Sequence, residues 1–298
     1  EGPVAVQFVD WLLCNDFLSP EVGKAVYSPV CREDGTVIDD MISYKISEQK
    51  VLVCVNAANI QKDWDWFAEH VKNFNCKLTD QSDEYALLAV QGPKAKDTLE
   101  RLGLQNFAGQ KPFSVKEVQW QDYTLLVART GYTGEDGAEI FCSAKSVTAL
   151  WRDLLALGAS PCGLASRDVL RLEACFPLYG HEIHDEVTPL DSALKWTVKF
   201  DKGDFIGKKA LAQYQPKFKL IKLTLDKGIP RDQYPVYLKG AEVGRVTSGT
   251  MSVTLGKGIA LAHINADVSK DEKNFEIGIR KKTYTATKQS KSFLRGGQ

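Results

Sequence analysis

The feature that most constrains this chain is a pair of adjacent carboxylates, Asp39 and Asp40, within the mostly apolar stretch at residues 35–59. The preceding Asp34-Gly35 is typical of a tight hairpin turn, and the residues after it alternate as a β-strand does. Successive side chains of a strand point to opposite faces, so the two carboxylates are predicted to face opposite sides. The Asp40 face is the more apolar one; it also carries Ile38, Ile42 and Tyr44.

A carboxylate on an apolar face needs a partner, and the local pattern leaves two interpretations of Asp40 open. It is either a strand-end acid whose oxygens accept hydrogen bonds from turn amides, or a desolvated acid that binds a basic nitrogen of a ligand. We interpret its neighbour Asp39 as structural.

The bulk properties exclude several classes of protein. A chain of 298 residues can bury a large core and is expected to form two or three compact units. The 38 Lys and Arg residues balance the 38 Asp and Glu residues, so no overall field favours nucleic acid or an anionic membrane. The longest apolar runs, at 51–55 and 85–90, have the length of strands and are too short to span a bilayer.

The cysteines and histidines argue against a metal site. The seven cysteines are scattered, without a Cys-x-x-Cys pair or a nearby His-Cys cluster. An odd number of cysteines in apolar surroundings is typical of reduced, buried thiols in a reducing compartment. His181 and His184, with Glu182 between them, are the one close histidine pair, and a surface loop is favoured there over a metal site.

An internal repeat organises the first half of the chain. The opening EGPVAVQFVDWLLCNDF and the segment QGPKAKDTLERLGLQNF share Gly-Pro, Ala, Leu and Asn/Asp-Phe positions at an offset of 90 residues. Each copy is predicted to begin a helix at its Gly-Pro turn and to continue through strands to a second helix, at 60–74 and at 146–157. From this repeat we infer two similar units of the split β-α-β type. A strand at 85–90 leads into the second copy only, so we expect the sequence to be truncated or processed before its first residue.

The pattern changes after Trp196 to short alternating stretches separated by Gly, Pro and Lys/Asp turns. The six stretches are 220–225, 234–238, 243–248, 258–264, 275–279 and 284–287. Strands of this length and spacing predict a small antiparallel barrel or sandwich from about residue 215 onward.

Five sequence blocks, taken together, carry a family resemblance. They are the segment 35–59, RTGYTGEDG from Arg129, GLASRDVLRLEA from Gly163, LYGHEI from Leu178 with TPLDSALKWTVKF from Thr188, and DFIGKKAL from Asp204 with VTSGTMSVTLG from Val246. In this order and spacing they resemble the glycine cleavage system T-protein, the tetrahydrofolate-dependent aminomethyltransferase, along nearly the whole chain.

The resemblance implies an α+β fold with two related ferredoxin-like α+β units around a central folate channel (1–214) and a C-terminal antiparallel β-barrel (215–298). It implies transfer of the methylene carbon from aminomethyl-lipoyl H-protein to tetrahydrofolate, with release of ammonia. The implied partners are lipoylated H-protein and tetrahydrofolate, with no metal, nucleic acid or membrane. The implied compartment is the cytoplasm of a bacterium or the mitochondrial matrix of a eukaryote.

The resemblance also implies roles for single residues. Asp40 matches the family's catalytic acid, and Glu173 matches the carboxylate that pairs with the amino-pyrimidine edge of the pterin. An ion pair of Glu173 with Arg171 or Arg167 on a helix is the alternative. The remaining expected folate-binding residues are Tyr27, Tyr44, Asn56, Tyr179, Lys202 and Arg295. For the aromatic residues, ordinary core packing stays open, and for the two basic residues a solvated surface position stays open.

One departure from the family pattern leaves two other functions open. The sequence lacks the Asp-Val-Ser-His-Met segment that T-proteins carry before this point, which leaves open the loss of a partner domain. One alternative is the folate-binding one-carbon module of a dimethylglycine- or sarcosine-oxidising enzyme. The other is a module of the iron-sulfur assembly type, against which KGDFIGKK, with Asp204 in place of a cysteine, argues.

Overall fold

The computed structural model describes residues 1–104 and 107–294. By its internal contacts the chain divides into two compact units. Unit 1 comprises Glu1–Ser28 and Met41–Gly163, and unit 2 comprises Pro29–Asp40 and Leu164–Gln298. Strands β1 (Ala25–Cys31) and β2 (Val37–Ser47) each run from one unit into the other.

The first repeat copy contains two helices and three strands. Helix α1 (Ala5–Leu12) is followed by β1, β2 and β3 (Lys50–Cys54), which form a sheet in the order β1-β2-β3, and by helix α2 (Ile60–His70). Helix α1 buries most of its residues, as its apolar periodicity requires, and packs on β3. Phe8 of α1 meets Phe67 of α2 edge to face, with ring centroids 6.4 Å apart.

The second copy has the same plan with one more strand. Its elements are β4 (Tyr85–Gln91), α3 (Ala95–Arg101), β5 (Val115–Trp120), β6 (Tyr123–Ala128), β7 (Gly137–Ser143) and α4 (Val147–Ala156). The antiparallel sheet has the order β4-β7-β6-β5, and α3 and α4 pack on it. Helices α1 and α3 each begin two residues after the proline of a Gly-Pro pair, so the helices predicted at both turns are confirmed.

Unit 2 is built around a closed six-stranded barrel in the order β10-β11-β8-β13-β12-β9. The strands are β8 (Phe218–Leu225), β9 (Pro235–Leu238), β10 (Ala241–Ser252), β11 (Lys257–Asn265), β12 (Asn274–Ile279) and β13 (Lys282–Gln289). Its interior is apolar, with Leu223, Val236 and Ile277 completely buried. The predicted α+β fold with an antiparallel barrel is confirmed.

Two further helices of unit 2 lie outside the barrel. Helix α5 (Leu164–Glu173) packs on β10 and β11, and the short helix α6 (Lys208–Gln213) begins directly after Gly207. The domain boundary expected at residue 215 stays a prediction. Across residues 1–104 and 107–294, no helix combines the length and the apolar character that a bilayer crossing demands.

The turn before the carboxylate pair forms as predicted. The Asp34 carboxylate accepts hydrogen bonds from the Thr36 amide (2.9 Å) and hydroxyl (2.7 Å), and the Gly35 amide donates to the Arg32 carbonyl (2.9 Å). Gly35 has φ 87°, a left-handed conformation that glycine adopts without a steric penalty. The turn therefore sets where β2 starts and which way Asp39 and Asp40 face.

Candidate functional site

Strand β2 separates the two carboxylates by exposure. Its odd-numbered residues from Val37 to Lys45 are buried without exception, and Asp39 among them has 0% of its surface exposed. Asp40, on the other face, is half-buried. The face that carries Asp40 is the more apolar in sequence, yet the odd face is the one that packs completely, despite its polar members. Only Asp40 of the pair is placed to touch a small molecule without rearrangement of the strand.

Arg32, Tyr179 and Asp185 belong to unit 2, and Asp185 interacts with both of the other residues. The Arg32 guanidinium contacts the Asp185 carboxylate and donates to the Val37 carbonyl (2.9 Å) at the start of β2. Burial, followed by hydrogen bonding to Asp185 and by the charges of Asp185 and Asp39, raises the pKa of Tyr179. The Tyr179 hydroxyl therefore keeps its proton.

Glu173 does not occupy an open site. Its side chain has 1% of its surface exposed, and its oxygens accept hydrogen bonds from the Ser252 hydroxyl (2.5 Å), the Thr254 amide (3.2 Å) and the Thr254 hydroxyl (3.1 Å). The carboxylate of α5 thus holds the turn that follows β10. The contact of Glu173 with a pterin edge stays a prediction; in this structure both of its carboxylate oxygens accept hydrogen bonds, from Ser252 and Thr254.

The alternative for Glu173 was an ion pair with Arg171 or Arg167, and of these two Arg171 has other carboxylate partners. The fully buried Arg171 pairs with Glu182 (3.0 Å) and Asp168 (2.8 Å) and donates to the Ser248 hydroxyl (2.8 Å). Glu182, also fully buried, accepts in addition from the Thr247 hydroxyl (2.6 Å) and the Leu178 amide (3.0 Å). The buried charges of Arg171 and Glu182 compensate each other, and their hydrogen bonds fix the loop after α5 that carries Tyr179.

The two basic candidates have different outcomes. Lys202 is half-buried and its ammonium lies 5.4 Å from the centre of the Phe205 ring, in a loop to which Lys208 donates two hydrogen bonds. A cation over an aromatic face is a stabilising arrangement. Arg295 lies outside the described residues.

In unit 1 the predicted Tyr44 is a core residue. Its ring is 1% exposed and packs edge to face on Phe141, with centroids 5.3 Å apart. Its hydroxyl lies 3.4 Å from the Thr130 hydroxyl, which donates to the Glu139 carboxylate at 2.5 Å. The structure therefore agrees better with Tyr44 as a core residue than with Tyr44 stacking on a ligand. The Tyr44 hydroxyl is connected to the Glu139 carboxylate through the Thr130 hydroxyl.

Glu139 is a further carboxylate of unit 1 that the sequence analysis did not consider. It is half-buried on β7, where its charge contributes, after burial, to raising the pKa of the Cys54 thiol to about 11 and also raises the pKa of Tyr44. A carboxylate in such apolar surroundings is a strong acceptor for a ligand N–H group. The sequence feature that could have drawn attention to Glu139 is its position two residues after the RTGYTGEDG block, which ends at Gly137.

The two remaining candidates of unit 1 lie at strand ends. Tyr27 of β1 is half-buried, and its carbonyl accepts from the Asn15 side chain at 2.9 Å. Asn56 is half-buried just after β3, and its carbonyl accepts from the Asn59 amide at 2.8 Å. These hydrogen bonds use backbone atoms and fix the position of each residue.

In the RTGYTGEDG block, Gly131 is the glycine whose lack of a side chain is required by close packing. A Cβ added at Gly131 would lie 1.9 Å from Oε1 of Gln91. The Gln91 amide donates to the Thr130 and Ala138 carbonyls (3.1 and 3.2 Å) and accepts from the Thr133 hydroxyl (3.1 Å). Gly131 thus lets the loop close on Gln91, which pins it beside Glu139.

Metal ligation finds little support in the described part of the chain. Among residues 1–104 and 107–294, no group of three or more His, Cys, Asp or Glu side chains is arranged to hold a metal ion. His181 is bonded through Nδ1 to the Thr247 carbonyl (2.8 Å), and Nδ1 of His184 accepts from the Glu186 amide (3.3 Å).

Two family models match this chain and together span most of it. The GCVT N-terminal domain matches residues 1–202, and the glycine cleavage T-protein C-terminal barrel domain matches residues 219–294. The chain belongs to the glycine cleavage T-protein family. The resemblance inferred from the five sequence blocks is therefore confirmed.

Individual family members agree over almost the full chain. An aminomethyltransferase from Thermosipho melanesiensis is 41% identical over 305 residues, which cover 99% of this chain and 82% of the relative. One from Symbiobacterium thermophilum is 43% identical over 309 residues, with the same two coverages. The crystal structure of glycine cleavage system aminomethyltransferase T from Bartonella henselae superposes with a TM-score of 0.90 at 30% identity, over 99% of this chain and 82% of that one.

Proposed function

We propose that this T-protein family member is an aminomethyltransferase of the glycine cleavage system. It takes the methylene carbon of the aminomethyl group on the lipoyl arm of H-protein, passes it to tetrahydrofolate and releases ammonia and the reduced lipoyl group. The observation that carries the proposal is the similarity to aminomethyltransferases along 99% of the chain. Similarity at this level extends across the segments that hold every described candidate residue.

The geometry supports Asp40 as the catalytic acid. It is the half-buried member of the pair, whereas Asp39 is completely enclosed. The Asp40 carboxylate accepts a hydrogen bond from the tetrahydrofolate amine, orients the attacking nitrogen and stabilises positive charge as ammonia departs.

Recognition of the pterin requires a carboxylate, and the structure favours Glu139 over Glu173 for it. The amino-pyrimidine edge presents parallel N–H donors, which a carboxylate accepts in pairs. Glu173 has its oxygens engaged by Ser252 and Thr254, whereas Glu139 is half-buried and has one described donor, Thr130. We therefore assign the edge contact to Glu139.

The other residues that we assign to folate binding are the half-buried candidates. Tyr27 and Tyr179 offer aromatic faces with a hydroxyl at one end, and Asn56 offers an amide that both donates and accepts. Lys202 supplies a cation for a glutamate carboxylate of the folate tail. Tyr44 supports Glu139 from the core of unit 1, through the Thr130 hydroxyl, and does not contact the ligand itself.

The comparisons favour this function over the two alternatives. The relatives that cover 99% of the chain carry the name aminomethyltransferase, and the matched C-terminal model is that of the T-protein barrel. Lipoylated H-protein and tetrahydrofolate are the partners that follow from the reaction.

An assay of the complete reaction tests the proposal. The protein is incubated with aminomethyl-lipoyl H-protein and tetrahydrofolate, and methylene-tetrahydrofolate and ammonia are quantified together. We expect the two products in equal amounts, with methylene-tetrahydrofolate absent when tetrahydrofolate is omitted. Failure to form either product while the protein copurifies with a flavoprotein instead of H-protein would contradict the proposal and favour the one-carbon module of an oxidising enzyme.

A further inference from the structure

A cleft at one end of the barrel in unit 2 combines positive charge with aromatic and aliphatic walls. Its volume of about 680 Å³ is within the usual range of small-molecule sites. Two segments line it, the connection from β8 to β9 and the hairpin formed by β12 and β13. None of the lining residues has a part in the transfer reaction proposed above, so the cleft calls for an explanation of its own.

Four exposed cations meet at this cleft without a carboxylate among the lining residues. They are Arg231, Arg280, Lys281 and Lys282. Within the described part of the chain, none of the four forms an ion pair. The two acids of the connection are engaged elsewhere: Asp226 pairs with Lys257 (2.8 Å), and Asp232 accepts from the Gln233 side chain (3.0 Å). A group of like charges in a concave surface attracts an anion.

The β12–β13 turn presents three of these cations in a strained backbone. Ile279 pairs with Lys282, so Arg280 and Lys281 are the two residues of the turn. Arg280 has φ 56°, a left-handed conformation that is unfavourable for a residue with a Cβ. Two-residue turns favour glycine, asparagine or aspartate in such conformations. Folding of the hairpin therefore does not require the arginine, and strain of this kind is often found where a ligand is held.

Tyr234 and Tyr284 form an aromatic wall that is already in place. Both are half-buried and pack against the apolar core of the barrel. The connection lies directly on the hairpin, because a Cβ added at Gly228 would be 2.8 Å from Cδ1 of Ile279 and 3.4 Å from the Tyr284 ring. The Val246 amide donates to the Tyr234 carbonyl at 2.9 Å and fixes the end of the connection. The cleft is therefore formed by packed backbone and rings.

A ligand that carries both an aromatic ring and several negative charges matches the two parts of this cleft. Phosphate oxygens accept hydrogen bonds from guanidinium and ammonium groups, and a flat base stacks on a tyrosine ring. A purely apolar ligand would leave the cations without a counter-charge, and a small inorganic anion would leave the tyrosines without a contact. We propose that the cleft is a nucleotide-binding site, with the phosphates on the four cations and the base against Tyr234 and Tyr284.

The experiment measures dissociation constants by calorimetry for ATP, tripolyphosphate and adenosine at one fixed ionic strength. ATP is the probe for the nucleotide class, and the other two compounds carry its charge and its ring separately. We expect ATP to bind about tenfold or more tightly than either of them, because stacking and phosphate contacts contribute together. Saturating tetrahydrofolate should leave the ATP constant unchanged.

Three variants assign the binding to the cleft. Arg280→Gly removes one cation and relieves the backbone strain, so it should weaken ATP and tripolyphosphate about tenfold without loss of stability. Tyr284→Leu should weaken ATP about tenfold and leave tripolyphosphate almost unchanged. The control is the double variant Lys270→Gln with Lys273→Gln, which removes two exposed cations near the opposite end of the same hairpin and should bind ATP as the unmodified protein does.

Each contrary result overturns the proposal. Absence of ATP binding does so directly, and equal affinities for ATP and tripolyphosphate show that the cleft attracts anions without recognising a base. Unchanged ATP binding by Arg280→Gly, or a loss in the control as large as in Arg280→Gly, shows that ATP binds elsewhere or without specificity. Competition between ATP and tetrahydrofolate shows binding at the folate site. Thermal melting verifies that each variant is folded, and the transfer assay is read separately because the cleft does not depend on that reaction.

Discussion

Replacing Glu173 by Gln should destabilise the protein while leaving its affinity for tetrahydrofolate almost unchanged. The buried carboxylate accepts three hydrogen bonds, from Ser252 and twice from Thr254, at 2.5–3.2 Å. A hydrogen bond to a charged group contributes about 1 kcal/mol more than a neutral one, so loss of the charge at three bonds costs roughly 2–3 kcal/mol. For a unit of this size, that lowers the melting temperature by roughly 5–10 °C.

The measurement is chemical and thermal unfolding of Glu173→Gln beside Glu276→Gln, which removes an exposed carboxylate from β12 of the same barrel. The control variant should stay within about 0.5 kcal/mol of the unmodified protein. Tetrahydrofolate titration of both variants completes the comparison. Unchanged stability of Glu173→Gln together with an affinity at least about tenfold weaker would refute the reasoning and return Glu173 to the pterin edge.

Two further variants test other contacts of the structure. Gly131→Ala should lower the free energy of unfolding by about 1–3 kcal/mol, because the added Cβ displaces the Gln91 amide from its three hydrogen-bond partners. In a Gln91→Ala background the same substitution should cost much less. If the two losses of stability simply add, the steric cause is disproved. Burial lowers the pKa of His263 to about 4, so the unfolded chain takes up a proton that the folded barrel excludes as pH falls below ~6.5. The free energy of unfolding should therefore lose about 2 kcal/mol between pH 7 and pH 5 through this residue. His263→Phe, which keeps a ring against Phe218, should lack this component, and equal pH slopes for both proteins would rule it out.

The regular elements were predictable because their signals are local. Each of the six barrel strands alternates over several residues between turn-forming Gly, Pro, Lys or Asp, and the ends of the observed strands lie within a few residues of the predicted ones. The two Gly-Pro turns start helices for a similarly local reason: proline suits the first turn of a helix.

The partners of buried polar groups were not predictable, because they come from distant parts of the chain. Glu173 meets residues 79 and 81 positions away, and Thr130, in the loop after β6, meets Tyr44 from 86 positions away. Helix spacing suggested a neighbour for Glu173 in Arg171, yet Arg171 finds Glu182 eleven positions on. Alternation correctly put Asp39 and Asp40 on opposite faces, but it could not show that the more polar face is the one completely buried.

The most direct test of the central claim compares Asp40→Asn with Asp39→Asn in the full aminomethyl transfer reaction, with rates expressed per folded molecule. Asp39 is enclosed, so its substitution should lower stability and leave most of the rate. Asp40 is the carboxylate a ligand can reach, so its substitution should leave the melting temperature close to that of the unmodified protein and lower the rate by about a hundredfold or more. Full transfer activity in Asp40→Asn, or a similar loss of rate in both variants, would contradict the account.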